Sequence, residues 1–209
     1  MIGPTPRFFE RSFLNGRWSE TADACRRRYA ARPACRRDRS GGGSRTDWRP
    51  RCRVEILNLA ETRVDICDGR PLDGYSETTR EAVARIGAAD AVLIGAPVYR
   101  ASYPGVLKNL LDIVPVEALQ NKPLGIVAMG GSPHHYLAVD TQLRQVLAWF
   151  GALVAPTSVY VTGSDFRDGK LASEPARKDL VALTSTLITL ARQLEPASLG
   201  PVPLAARFT

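Results

Sequence analysis

Ala91-Val92-Leu93-Ile94-Gly95-Ala96-Pro97-Val98-Tyr99-Arg100-Ala101-Ser102-Tyr103-Pro104-Gly105-Val106-Leu107-Lys108-Asn109 is the stretch that decides the fold. Its first four residues form a continuous apolar run, the pattern of a strand buried on both faces of a parallel sheet. Gly95 and Pro97 end the ladder, and Pro104 and Gly105 stand where a helix would start, since proline suits the first helical turn. Leu107, Leu110, Leu111 and Val114 follow at helical spacing. Pro97 to Gly105 is therefore expected to be a loop leaving the carboxyl end of a central strand, the place where open α/β sheets bind ligands. Small residues there allow close backbone approach. Tyr99 and Tyr103 offer flat apolar faces with polar tips, and Arg100 and Ser102 carry groups suited to an anion or a hydroxylated chain. That composition suits a flat aromatic ligand; it equally suits an ordinary loop whose tyrosines pack on their own helix.

Downstream, Pro123 to Met129 reads as another buried strand, ending at Gly130-Gly131. Val139 to Trp149 is expected to be a helix with Leu143, Val146, Leu147 and Phe150 facing the sheet. Ser158 to Thr162 reads as a strand and Gly163 to Ser173 as a polar loop. Glu174-Pro175 starts a last helix with Leu180, Leu183, Leu187, Leu190 and Leu194 on its inner stripe. Upstream, Arg53 to Leu59 reads as a strand, Cys67 to Pro71 as a loop, and Thr78 to Ile86 as a helix with Val83 and Ile86 inward. The order from Ala91 is β-α-β-α-β-α, a doubly wound parallel sheet.

The 209 residues suffice for one domain with a sizeable core. A hydrophobic share of 44% and a charged share of 23% are those of a globular protein. No apolar stretch approaches the roughly 18 residues that cross a bilayer, and Met1 to Phe13 lacks a secretory apolar core. Cys25, Cys35, Cys52 and Cys67 make no Cys-x-x-Cys pair, and the only histidines are adjacent, so no metal site is expected. A reducing cytoplasm is the simplest setting.

The formal charge of +7 is unevenly spread. Residues 1 to 53 carry 14 arginines and no lysine against 5 acids, whereas residues 54 to 209 carry 14 basic against 16 acidic side chains. The body therefore has no electrostatic footprint for nucleic acid. Residues 1 to 50, with Arg26-Arg27-Arg28, Arg36-Arg37 and Gly41-Gly42-Gly43, read as an atypical arm, disordered or from a shifted reading frame, ahead of a domain over 51 to 209. Asn15-Gly16 is its one hairpin signal. No apolar run of four precedes Val54, so a first strand with its phosphate loop is read as missing or replaced.

Pro97-Val98-Tyr99-Arg100-Ala101-Ser102-Tyr103-Pro104-Gly105-Val106-Leu107-Lys108-Asn109 closely resembles the flavin-contacting loop and following helix of the NADPH-dependent FMN reductases. These have a flavodoxin-like fold, and the nearest relatives look like the reductase halves of two-component alkanesulfonate monooxygenase systems. Met129-Gly130-Gly131-Ser132-Pro133-His134-His135, followed by Leu137-Ala138-Val139-Asp140, is similar to the family's second signature. The resemblance covers about Val54 to Arg192. Ser44-Arg45-Thr46 resembles the end of the family's phosphate loop, although Trp48 and Pro50 fill the short span to Val54. In some alkanesulfonate-type relatives an aromatic residue, associated with a π-turn, stands where this chain has Thr141.

The resemblance implies FMN and NADPH as the bound nucleotides and hydride transfer to flavin N5 as the reaction. No catalytic side chain is expected, because the flavin carries the chemistry. Pro97, Val98, Tyr99, Arg100 and Ser102 would run beside the ring and ribityl chain. The backbone of Gly130, Gly131 and Ser132 would meet the charge developing at the flavin N1 and O2 edge, with His135 nearby. It also implies a homodimer or homotetramer and a monooxygenase that takes the reduced flavin. Two other readings stay open: an FMN-bound quinone, azo or metal-oxyanion reductase, and a non-enzymatic flavodoxin-like remnant.

Overall fold

In the computed structural model, which describes residues 54–194, 199–201 and 203, helices and strands alternate from Glu77 to Trp149. They are α1 (Glu77–Ala88), β1 (Val92–Pro97), α2 (Gly105–Ile113), β2 (Pro123–Gly130), α3 (Ala138–Trp149), β3 (Leu153–Val154), β4 (Val159–Thr162), β5 (Phe166–Arg167), β6 (Lys170–Leu171) and α4 (Glu174–Gln193). The chain divides into two units, Met1–Asn58 and Leu59–Thr209, and all these elements belong to the second. The basic arm, the Asn15-Gly16 hairpin signal and Ser44-Arg45-Thr46 lie outside the described residues.

The sheet is built on β2, all eight of whose residues are buried. β1 runs parallel to it, with Ile94 opposite Ile126 and Pro97 opposite Met129. On the other side β3 pairs with Pro123 and Leu124, and β4 with Val127 to Gly130, both parallel. They make one edge strand interrupted at Ala155 to Ser158. Two expectations change here. The run Ala91 to Ile94 was read as buried on both faces, yet only Ile94 and Ala96 of β1 are buried and Gly95 is exposed. Among the described residues β1 pairs with β2, and β2 pairs on both sides. Arg53 to Leu59 was read as a strand; residues 54–58 have no regular structure and 59–61 form a turn. Among the described residues no strand pairs with this segment, and a strand forms only where a second backbone completes its ladder.

Helix ends follow local chemistry. The Ser76 hydroxyl accepts from the Thr79 amide to cap α1, and Ser173, followed by Glu174-Pro175, caps α4 through the Ala176 amide. Half-buried Lys122 donates to the carbonyls of Ile86 and Gly87 at the other end of α1, and burial pushes its pKa down. The segment before α1 is tied down at both ends. Asn109 of α2 donates to the Asp65 carbonyl and accepts from the Cys67 amide, while the Asp65 carboxylate accepts from the Ser76 amide and the Thr79 hydroxyl. Those bonds, the Ser76 amide first, hold the Asp65 carboxyl below its usual range.

α4 packs on β2 and β4, and α3 on β2. Leu180, Leu183 and Leu187 are buried, whereas Leu190 and Leu194 are half-buried as the helix runs past the sheet. Gly125 allows this approach: a Cβ there would lie 2.9 Å from Leu93 Cδ1, 3.0 Å from Leu187 Cδ1 and 3.2 Å from Leu183 Cδ1. Gly125→Ala is expected to destabilise the fold by about 1–2 kcal/mol, the cost of overpacking against three flexible but converging tips. Denaturant titration checks this, and an unchanged midpoint would mean that the leucines yield freely. The expected polar loop from Gly163 to Ser173 instead holds the hairpin β5–β6, with Phe166 opposite Leu171. Asp168 and Gly169 both have positive φ at its turn, which is the two-residue Asp-Gly hairpin signal.

Candidate functional site

Three loops leave the carboxyl ends of three adjacent parallel strands. The first extends β1 by one bond, from the Val98 amide to the Met129 carbonyl at 2.7 Å. This seats the start of the loop beside the end of β2. Tyr99 and Ser102 then close a tight turn through two reciprocal bonds, Tyr99 amide to Ser102 carbonyl at 2.7 Å and the reverse at 2.9 Å. Its central residues, Arg100 and Ala101, have φ of 49° and 63°. Both are non-glycine residues in the left-handed region, a conformation that costs roughly 1–2 kcal/mol each. The turn lifts Arg100 into solvent and leaves Tyr99 45% exposed. The Ser102 hydroxyl is directed to α3, where it donates to Gln142.

The second loop begins where β2 ends. Gly130 has no alternative residue in this geometry: a Cβ would sit 1.8 Å from Tyr160 Oη. That hydroxyl, on β4, donates to the Ser132 carbonyl at 2.7 Å, and burial raises its pKa. Gly131 is different. Among the described residues a Cβ there would meet nothing within 4 Å, its chain neighbours aside, so they leave open space beside it. Pro133–His135 form one 3-10 turn. His134 Nδ1 lies 3.3 Å from Ser132 Oγ, and His135 is exposed. α3 then starts as a regular helix, Thr141 donating to the Leu137 carbonyl.

The third loop follows β4, whose Thr162 is opposite Gly130. Asp165 Oδ2 accepts from the Thr162 amide at 2.8 Å and from its hydroxyl at 3.1 Å. Thr162-Gly163-Ser164-Asp165 is a legible capping pattern that the reading as a polar loop passed over.

Pro97 thus ends β1, with Val98, Tyr99, Arg100 and Ser102 on the loop that follows; Gly130 ends β2, with Gly131 and Ser132 on the neighbouring loop, and the Val98–Met129 bond joins the two. His135 stands further along, in the turn before α3. Sequence reasoning missed Gln142 and Tyr160, both polar residues that look like surface or strand filler in a linear reading. Among the described residues no cluster of His, Cys, Asp or Glu could hold a metal, and no helix is long and apolar enough to cross a membrane.

A parallel sheet wound with helices, with its loops gathered at the carboxyl ends of adjacent strands, defines the doubly wound α/β class, to which the flavodoxin-like folds belong. Residues 43–166 match the family model of the NADPH-dependent FMN reductases. The chain belongs to that family of flavin-dependent oxidoreductases. The match begins ahead of Val54 and takes in Ser44, Arg45 and Thr46. A NAD(P)H-dependent FAD/FMN reductase of Geobacillus thermodenitrificans is 36% identical over 133 residues, 64% of this chain and 72% of the relative. An NADH-dependent FMN reductase, SfnF, of Pseudomonas fluorescens is 42% identical over 124 residues, 59% of this chain and 65% of the relative. The solved structure of an oxidoreductase from Corynebacterium diphtheriae is 29% identical with a TM-score of 0.52, covering 59% of this chain and 66% of that one. The chain therefore spans about two thirds of the length of these relatives.

Proposed function

We propose that this chain reduces FMN at the expense of NAD(P)H. One observation carries the reading: the tyrosine-bearing turn and the paired glycines leave adjacent parallel strands at the same edge of the sheet. The residues fit a planar ring. Gly131 leaves the space that a side chain would fill, and the exposed face of Tyr99 lies on the neighbouring loop. FMN, when bound, supplies the hydride chemistry.

In this reading Pro97, Val98 and Tyr99 line the ring and ribityl chain, and Gly130, Gly131 and Ser132 present backbone to the ring edge. Arg100 offers its charge to a nucleotide phosphate. The Val98 amide is already spent on the Met129 carbonyl of β2, and those of Tyr99 and Ser102 on each other's carbonyls, so this loop contributes shape and Tyr99 stacking. His135 is assigned to the outer rim. Delivery of reduced flavin to an FMNH2-dependent monooxygenase, and a homodimeric or homotetrameric assembly, belong to the same proposal.

Titrating the purified protein with FMN, read by flavin fluorescence quenching, tests it; absence of quenching would refute it. Tyr99→Ala is expected to raise the FMN Kd about tenfold, the loss of one aromatic stacking partner and its buried area. An unchanged Kd would remove Tyr99 from the site.

A further inference from the structure

The turn at Tyr99 to Ser102 is held in an unfavourable backbone conformation, with Arg100 and Ala101 both left-handed. Such a turn persists only where its surroundings over-determine it. Its two internal bonds do not suffice as an explanation, because they would form equally well around glycines that carry no strain. The additional constraint comes from 40 residues away. Gln142 Nε2 donates to the Ala101 carbonyl at 2.8 Å, and Gln142 Oε1 accepts from the Ser102 hydroxyl at 2.5 Å. Both ends of one amide are spent on one turn.

The side chain stands on a firm base. Val139, Leu143 and Leu147 of α3 are completely buried, and α3 packs on β2. A carboxamide is required: the Ala101 carbonyl needs a donor and the Ser102 hydroxyl an acceptor. Glutamate keeps the second bond and sets a negative oxygen against the first. α3 is also the helix into which the Gly130–Gly131 loop runs, so a single element determines the position of both loops.

We propose that Gln142 is a positioning residue that aims the strained Tyr99–Ser102 turn at the Gly130–Gly131 loop, and thereby orders the binding surface for the isoalloxazine ring. The ligand in this proposal rests on the flavin reading above; the brace itself does not. The test measures amide hydrogen exchange and FMN affinity in the full chain, in wild type, Gln142→Ala, Gln142→Glu and, as a control one turn further along, exposed Gln145→Ala.

The expected result is exchange about tenfold faster at the Tyr99 and Ser102 amides in both Gln142 variants, with β2 amides unaffected. FMN Kd should rise about tenfold in the same two variants and stay unchanged in Gln145→Ala. Wild-type flavin binding combined with unaltered exchange and Kd in both Gln142 variants overturns the brace and leaves the proposed function standing. So does an equal effect from Gln145→Ala. Wild type that does not bind FMN refutes the proposed function and the ring-ordering role with it, while faster exchange in the Gln142 variants would still support the brace.

Discussion

Gly131→Val is expected to abolish FMN binding, raising Kd at least about 100-fold, while leaving stability within about 0.5 kcal/mol of wild type. The two halves of that result come from one observation. Among the described residues, its two chain neighbours aside, a Cβ on Gly131 meets no atom within 4 Å, and its φ lies outside the left-handed region that excludes side chains. The fold has no reason to resist valine. If the open space beside Gly131 is where the ring approaches the backbone, the two added methyls occupy it and the ring must withdraw. Parallel measurement of thermal midpoint and FMN titration checks both halves. Retained affinity in a stable variant would show that the ring does not approach this glycine.

Gly130→Ala should behave in the opposite way, failing first in stability. The new methyl would stand 1.8 Å from Tyr160 Oη and 2.9 Å from Cζ, so the tyrosine has to move and its bond to the Ser132 carbonyl breaks. The expected cost is about 2–4 kcal/mol, overpacking plus a lost hydrogen bond, with FMN affinity falling because the second loop loses its tie to β4. Tyr160→Phe alone should cost about 1 kcal/mol. Combined with Gly130→Ala, it should recover part of the larger loss, because the closest clashing atom is gone. A double-mutant cycle from denaturant unfolding reads the coupling; strict additivity would mean that the two residues do not meet as described.

The two glycines illustrate how far a linear reading reaches. As Gly130-Gly131 they form one motif, and family resemblance assigns them one role. In three dimensions the first is glycine because a neighbour's hydroxyl fills the position of its side chain. The second is glycine beside empty space. The same division runs through the first loop. Pro97 to Gly105 was legible as a strand-to-helix connection, since an apolar run, a proline and a helical stripe are all local signals. The positive φ at Arg100 and Ala101 was not legible, because neither residue is one that favours that region, and the constraint that holds them comes from Gln142. The hairpin at Asp168-Gly169 and the Thr162–Asp165 cap carried local signals that a reading as one polar loop overlooked.

What the sequence determined by itself is therefore the set of modules: a strand opening at Ala91 to Ile94, a strand over Pro123 to Met129, the helices that follow them, and the composition of the loops between. These depend on short-range periodicity and on proline and glycine punctuation, which act within a few residues. Tertiary structure alone decided that all eight residues of β2 are buried while β1 is only partly so, and that residues 54–58 carry no regular structure. It also brought Tyr99 and Gly131 to one edge, with Gln142 and Tyr160 holding their loops. An apolar run records that a strand will be buried but not how many neighbours it has, and a strand forms only where a second backbone completes its ladder. A hydrogen bond between residues 40 positions apart leaves no periodic trace in the chain, so only the packed helix and sheet reveal which polar side chains support the site.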